Sequence, residues 1–252
     1  MKQCAITGAA EGLGRALALR FAAAGYAITG IDVDPGRAAE TTAEIAAAGG
    51  TARFILADLA REAALAGVLA ELAAGPPSDV FIHNAGISAA GPFEWLPLAA
   101  QMAVLDVNLV APMQLTAGLL RVGGLSRPGA VVFVSSLAHF VSYPGASVYA
   151  ASKDGLAAYA RSLRVAEPAL HVLTVFPGLT RPAHARRYGP DNSREARRMP
   201  PEKLAELIYR AVQRRQKVLI PGWRNRLVAL LGSLLPGLVE PVMRRSLYER
   251  LT

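Results

Sequence analysis

Three side chains in the stretch SSLAHFVSYPGASVYAASK, residues 135–153, have the types and spacing for proton transfer: Ser136, Tyr149 and Lys153. The apolar run Val131 to Val134 ahead of them reads as a buried strand, and VYAASKDGLAAYARSL after Pro144 and Gly145 carries helical spacing with few breakers. A strand end therefore delivers Ser136, and a helix delivers Tyr149 and Lys153 on one face, four residues apart. A free tyrosine titrates at roughly pH 10, and a neighbouring cation lowers that by about 1 to 3 units by favouring the phenolate. A phenol tuned in this way serves as a general acid/base near neutral pH. A serine hydroxyl beside it adds a donor for a substrate oxygen.

Tyrosine four residues before lysine also arises by chance on many helices, so the pair alone is weak. The serine thirteen residues upstream sharpens it. At this spacing the stretch resembles the active-site segment of the short-chain dehydrogenase/reductase (SDR) family, in which a serine, a tyrosine and a lysine stand in the same order.

The elements that must position this segment follow in order. Gln3 to Thr7 is a short apolar run suited to a buried parallel strand, and it breaks into GAAEGLG before the helical pattern LGRALALRFAAAG. Gly8, Gly12, Leu13 and Gly14 fall at that strand-to-helix turn, where glycine permits tight turning and close approach of a phosphate to helix N-terminal amides. The spacing is GxxxGxG rather than the commoner GxGxxG; with Thr7 in front it resembles the SDR cofactor turn. Tyr26 to Ile31 reads as the second strand and Asp32 stands at its end, where a carboxylate accepts hydrogen bonds from an adenine ribose and repels a 2′-phosphate. Asp32, with Glu11 nearby, favours NAD over NADP, although Arg37 is close in sequence.

Thr51 to Leu56 reads as the third strand, and Asp58 and Leu59 after it resemble the family's adenine-contacting pair. Asp79 to Ile82 reads as the fourth and runs into HNAG, where Asn84, Ala85 and Gly86 resemble the family's NAG turn and His83 replaces a more usual asparagine. Residues 97–122 read as one long helix with Asn108 inside it; an exposed helical asparagine is the plain alternative to the family's catalytic one, which helps hold a water linking the lysine to solvent. Pro112, four residues on, should loosen the helix there. His171 to Phe176 reads as the sixth strand, ending in Pro177 and Gly178, which resemble the family's turn over the nicotinamide. Here the chain departs from the pattern: Pro182 stands where many members have a threonine, leaving Thr180 to bond the cofactor.

The resemblance covers roughly residues 1–182 and implies an α/β fold, a Rossmann-like doubly wound parallel sheet of about seven strands with the cofactor at the carboxyl ends of the strands. It also assigns roles. Ser136, Tyr149, Lys153 and Asn108 become catalytic, and Tyr149 and Lys153 also contact the cofactor. Residues 1–222 form the NAD(P)-binding domain, with a substrate loop at 179–200, and 223–252 form an amphipathic helical extension.

Composition constrains the remainder. At 252 residues, with alternating strand and helix patterns, the chain suits one α/β domain. Met1 is followed almost at once by a strand-like run, leaving no room for a signal peptide, and no clean stretch of 18 apolar residues suggests a spanning helix. The lone Cys4 excludes a disulfide framework and offers no metal ligand set, so the default compartment is the cytoplasm. The net charge of +8 is unevenly placed: residues 1–178 carry 11 Lys/Arg against 13 Asp/Glu, and 179–252 carry 16 against 6. That asymmetry disfavours a nucleic-acid reading and favours a local anionic partner.

In WRNRLVALLGSLLPGLVEPVMRRSLYERL the apolar residues recur as a continuous helical stripe flanked by Arg224, Arg226, Arg244 and Arg245. Pro236 and Pro241 should divide it into short helices. An oligomer seam or a pocket wall competes with an anchor at an anionic membrane surface, on the inner face of a membrane. The expected activity is hydride transfer between NAD(H) and a secondary alcohol or ketone, with an apolar substrate and a homodimer or homotetramer as the assembly. A non-catalytic dinucleotide sensor and an NADP-dependent ketone reductase are the alternatives.

Overall fold

The computed structural model describes residues 1–178, 198–247 and 249. Seven parallel strands form one sheet: β1 (Lys2–Thr7), β2 (Tyr26–Asp32), β3 (Ala52–Leu56), β4 (Ser78–His83), β5 (Leu125–Val134), β6 (Leu170–Val175) and the short β7 (Val218–Leu219). Their order is β3-β2-β1-β4-β5-β6-β7. The apolar runs make these strands because both faces are covered. Ala5, Phe81, Val131 and Val172 point into one layer, and Cys4, Ile6, Val80, Ile82, Val132 and Leu173 into the other.

Helices α1 (Gly12–Ala22), α2 (Pro35–Ala47) and α3 (Glu62–Ala73) connect the first four strands. After β4 come α4 (Leu98–Leu105), a π-helical turn at Asp106–Val110 and α5 (Ala111–Val122). A short α6 (Ala138–Val141) and the long α7 (Ser147–Ala166) follow β5, and α8 (Pro201–Gln213), α9 (Trp223–Leu234) and α10 (Pro236–Leu247) complete the described chain. The strand order reverses between β1 and β4, and ligands in open α/β sheets bind in the crevice at such a point, outside the carboxyl ends of the strands. The Gly8 turn follows β1 and the Asn84 turn follows β4, so the topology sets both on that crevice.

The expected long helix of 97–122 forms from Leu98, with a π turn in its middle. A proline ring clashes with the carbonyl four residues back and has no amide to give it, so Pro112 disfavours an ordinary α turn over Asn108. The wider turn, in which the Ala111 amide reaches the Asp106 carbonyl, relieves this. Leu98–Val122 is also long and apolar enough to cross a membrane by length and composition, contrary to the sequence expectation. Its Ala111, Leu115 and Leu119 are fully buried in the core layer that they share with Phe81 and Val131. At the other end of the chain Pro236 separates α9 from α10 as expected, whereas Pro241 sits inside α10 without ending it.

Candidate active site

The first turn is built on missing side chains. Gly8 and Gly12 adopt φ of +66° and +56°, the left-handed region that glycine enters without steric cost. A Cβ on Gly14 would stand 1.7 Å from the Gly8 carbonyl oxygen, so only glycine lets α1 start this close to the turn. Around the Gly12 Cβ position there is open space, and no side chain caps the α1 N-terminus. Exposed amides at the positive end of a helix dipole suit a pyrophosphate.

This turn is tied to the one after β4. The amides of Asn84 and Ala85 both donate to Thr7 Oγ1 at 3.0 Å, and Asn84 Nδ2 donates to the carbonyls of Thr7 and Gly8 at 3.1 Å each. Asp32 lies at the end of β2, where its Oδ2 accepts from the Ala10 amide at 2.9 Å and its Oδ1 from the amides of Val33 and Asp34 at 2.8 and 3.2 Å. The carboxylate therefore also holds the backbone of the glycine turn. Arg37 is ion-paired with Glu11 and lies 3.5 Å from Asp34. After β3, Asp58 is exposed and accepts from the Ala60 amide at 3.0 Å, while Leu59 is buried beneath it.

On the other side of the crevice the structure brings Ser136, Tyr149, Lys153 and Asn108 together. Lys153 is only 3% exposed, and its Nζ donates to the Val134 carbonyl at 2.9 Å. Burial lowers its pKa to about 8, which still leaves it charged at neutral pH. Its Nζ lies 5.7 Å from the centre of the Tyr149 ring. Burial raises the Tyr149 pKa, and the contact that lowers it is a hydrogen bond with the Ser136 side chain. Sequence spacing expects Lys153 to lower the Tyr149 pKa; in the structure burial outweighs the Ser136 contact and the pKa is raised instead. Tyr143, with its ring centre 6.1 Å from that of Tyr149, adds a second phenol beside the first.

Asn108 is fully buried, not an exposed helical residue. Its Nδ2 donates to the Ile87 carbonyl at 2.9 Å and to Ser152 Oγ at 3.0 Å, and its Oδ1 accepts from the Ile87 amide at 2.9 Å. Ser152 Oγ in turn donates to the Tyr149 carbonyl at 2.7 Å. Both side-chain donors are thus engaged with protein groups, so the asparagine clamps the segment after β4 to the tyrosine helix. A Cβ on Gly86 would stand 3.2 Å from Lys153 Nζ and 3.3 Å from Asn108 Oδ1, which explains the small residue there.

Sequence reasoning missed Ser135 and Ser152. Ser135 Oγ donates to the Lys153 carbonyl at 2.9 Å, fastening the end of β5 to α7. A serine next to each motif residue was the only available signal. Pro177 and Gly178 close the crevice after β6, and a Cβ on Gly178 would meet Asn225 of α9 at 2.9 Å. Thr180, and the arginines from Arg181 to Arg197, lie outside the described residues.

Comparison with known proteins gives the family. The family model described as short chain dehydrogenase matches residues 2–193. The chain belongs to the short-chain dehydrogenase family. It is 32% identical over 268 residues to dehydrogenase/reductase SDR family member 7B of Bos taurus, covering 97% of this chain and 81% of the relative. To 3beta-hydroxysteroid dehydrogenase 1 of Eggerthella lenta it is 30% identical over 204 residues, covering 77% of each. Among solved structures, a short-chain dehydrogenase from Sphingobium yanoikuyae in complex with NADPH superposes with a TM-score of 0.82 at 27% identity, over 92% of this chain and 93% of that one. As a short-chain dehydrogenase/reductase the protein is an oxidoreductase that uses a nicotinamide dinucleotide on alcohol or ketone groups. The open glycine turn and uncapped α1 amides fit that cofactor.

Proposed function

We propose that the protein moves a hydride between NAD(H) and an apolar secondary alcohol or ketone. The observation that carries this reading is the hydrogen bond between the Ser136 and Tyr149 side chains, beside a buried lysine on the crevice that the glycine turn opens. In the oxidative direction the substrate hydroxyl sits between Ser136 and Tyr149. Ser136 donates to its oxygen, Tyr149 takes its proton, and the carbinol C–H leaves as hydride. The bound nicotinamide ring supplies the acceptor for that hydride, or its source in reduction. Lys153 contributes positive charge that favours the phenolate and donates toward the nicotinamide ribose. Asn108 positions Tyr149 and the Gly86 turn by its clamp.

Gly8, Gly12, Leu13 and Gly14 hold the pyrophosphate, Asp32 the adenine ribose, and Asp58 and Leu59 the adenine. Asn84, Ala85, Gly86, Pro177 and Gly178 line the nicotinamide end. NAD is favoured because Asp32 presents a carboxylate at the ribose end and Arg37 is held in ion pairs with Glu11 and Asp34. The NADPH in the Sphingobium structure favours a second reading, an NADP-dependent ketone reductase. We read residues 1–222 as the dinucleotide-binding domain and 223–252 as its extension.

The test is turnover. Purified protein is mixed with either oxidised cofactor and a panel of apolar secondary alcohols, and formation of the reduced nicotinamide is followed. Activity should appear with NAD and vanish in Tyr149→Phe, with NADH affinity changed no more than a few fold because only a hydroxyl is lost. Near wild-type turnover in that variant removes the mechanism.

A further inference from the structure

Helices α9 and α10 carry their apolar side chains outward. The inward positions of α9 are Asn225, Ala229 and Gly232, spaced four and three residues apart on one face. This inner stripe is narrow and made of small or polar residues. A Cβ on Gly232 would stand 2.1 Å from the Phe140 carbonyl oxygen, so the α9 backbone rests directly on α6. The large apolar side chains point away from the protein: Trp223 is 70% exposed, Leu230 54%, Leu234 68%, Leu238 69% and Val242 60%. The two helices are bent by 116° at the break between them, with the half-exposed Leu235 at the corner. The result is a protruding apolar elbow.

The charges around it select the partner. Arg224 and Arg226 stand at one end of the pair and Arg244 and Arg245 at the other, all exposed, while residues 223–249 contain two acids, Glu240 and Glu249, the latter 3.8 Å from Arg244. A second copy of this surface would set arginines against arginines, whether the helices ran parallel or antiparallel. An anionic lipid surface offers apolar depth for the leucines and headgroup phosphates for the arginines. Each helix has 12 residues, about 18 Å, against roughly 30 Å for the hydrocarbon core. That length suits lying in the interface, not crossing it.

We infer that the α9–α10 elbow docks the protein on an anionic lipid surface, its leucines entering the acyl boundary and its four arginines among the headgroups. The elbow is seated on α6, which begins two residues after Ser136, and on Gly178 through Asn225. Docking therefore brings the substrate end of the crevice close to the lipid, a consequence that rests on the proposed hydride-transfer site; the docking itself does not.

The experiment uses the full chain without substrate or cofactor, so that its failure and a failure of the catalytic reading are told apart. Sedimentation is compared between phosphatidylcholine vesicles and vesicles that also contain phosphatidylglycerol. Binding to the anionic vesicles is expected, and it should weaken several-fold as the screening length falls from about 10 Å at 0.1 M salt to about 3 Å at 1 M. Leu234→Asp with Leu238→Asp should lower partitioning at least tenfold, with the thermal midpoint unchanged because both side chains are exposed. In a Trp95→Phe background the remaining Trp223 should shift its emission to the blue on anionic vesicles. Arg224→Gln with Arg226→Gln serves as a second, independently folded variant and should lose the preference for anionic vesicles. Absence of binding, or unchanged binding in both variants, overturns the inference. So does a dimer that the double aspartate variant dissolves while wild type ignores vesicles, since the elbow's occupant is then a second copy.

Discussion

Replacing Asn108 by alanine tests whether that residue is a clamp. Three hydrogen bonds disappear, to the Ile87 carbonyl, the Ile87 amide and Ser152 Oγ, in a place fully closed to water. At about 0.5–1.5 kcal/mol net for each bond, plus about 1–3 kcal/mol for a polar group left without a partner, the loss should fall between about 2.5 and 7.5 kcal/mol. With a urea slope of about 3 kcal/mol per molar, the unfolding midpoint drops by roughly 0.8–2.5 M. Ser152→Ala breaks one arm of the clamp together with the serine's own bond to the Tyr149 carbonyl, and the two bonds should cost about 1–3 kcal/mol. The assay is equilibrium urea unfolding, run beside steady-state turnover. The clamp predicts that stability and activity fall together in Asn108→Ala. A midpoint within about 0.3 M of wild type with turnover abolished would refute it and assign the asparagine to the chemistry.

Gly14→Ala should be among the most damaging single substitutions, since its new methyl meets backbone at 1.7 Å and neither side can yield cheaply; loss of NADH binding by fluorescence titration, with a lowered thermal midpoint, is the readout. In competition titrations NADH should bind more tightly than NADPH by about 1–3 kcal/mol, the range for a single lost contact to a charged group, and Asp32→Ala should erase the difference; equal affinities in wild type count against the assignment. Burial lowers the His83 pKa from 6.5 to about 3, so the folded state binds fewer protons than the unfolded one and stability falls as pH drops from 6.5 toward 3, by up to about 1.4 kcal/mol per pH unit. A urea series across that window should show His83→Asn with a shallower decline than wild type; parallel curves would mean that the histidine is protonated in place.

The motifs that were legible in the sequence are those whose physics is local. Apolar runs such as Val131 to Val134 announce buried strands, the Gly8, Gly12 and Gly14 spacing announces a turn, and Tyr149 and Lys153 share a helix face by periodicity alone. Illegible were the fasteners between distant segments. Nothing local marks that Thr7 will receive two amides from Asn84 and Ala85, or that Ser135 will bond the Lys153 carbonyl. The direction of the tyrosine shift is illegible for the same reason, because spacing shows that Lys153 is near but not that the phenol is buried deeply enough to raise its pKa. The 223–247 segment exposes a limit of periodicity. A helical stripe of leucines implies a buried face, yet here Asn225, Ala229 and Gly232 turn inward and the stripe turns out. Small residues beat large ones because α9 rests on the backbone of α6, where no side chain fits.

The π turn at Asp106–Val110 makes chain length itself a carrier of information. It accommodates one residue more than an α turn, and each residue in a helix corresponds to a rotation of about 100°. Excising Leu105 while the π turn is retained, as Pro112 requires, would swing the preceding half of the helix by about this angle relative to α5. Val104, which is the buried residue of α4, would leave the core. Substitutions in α4 therefore have wide latitude on its exposed side, at Leu98 and Met102, while insertions and deletions have almost none.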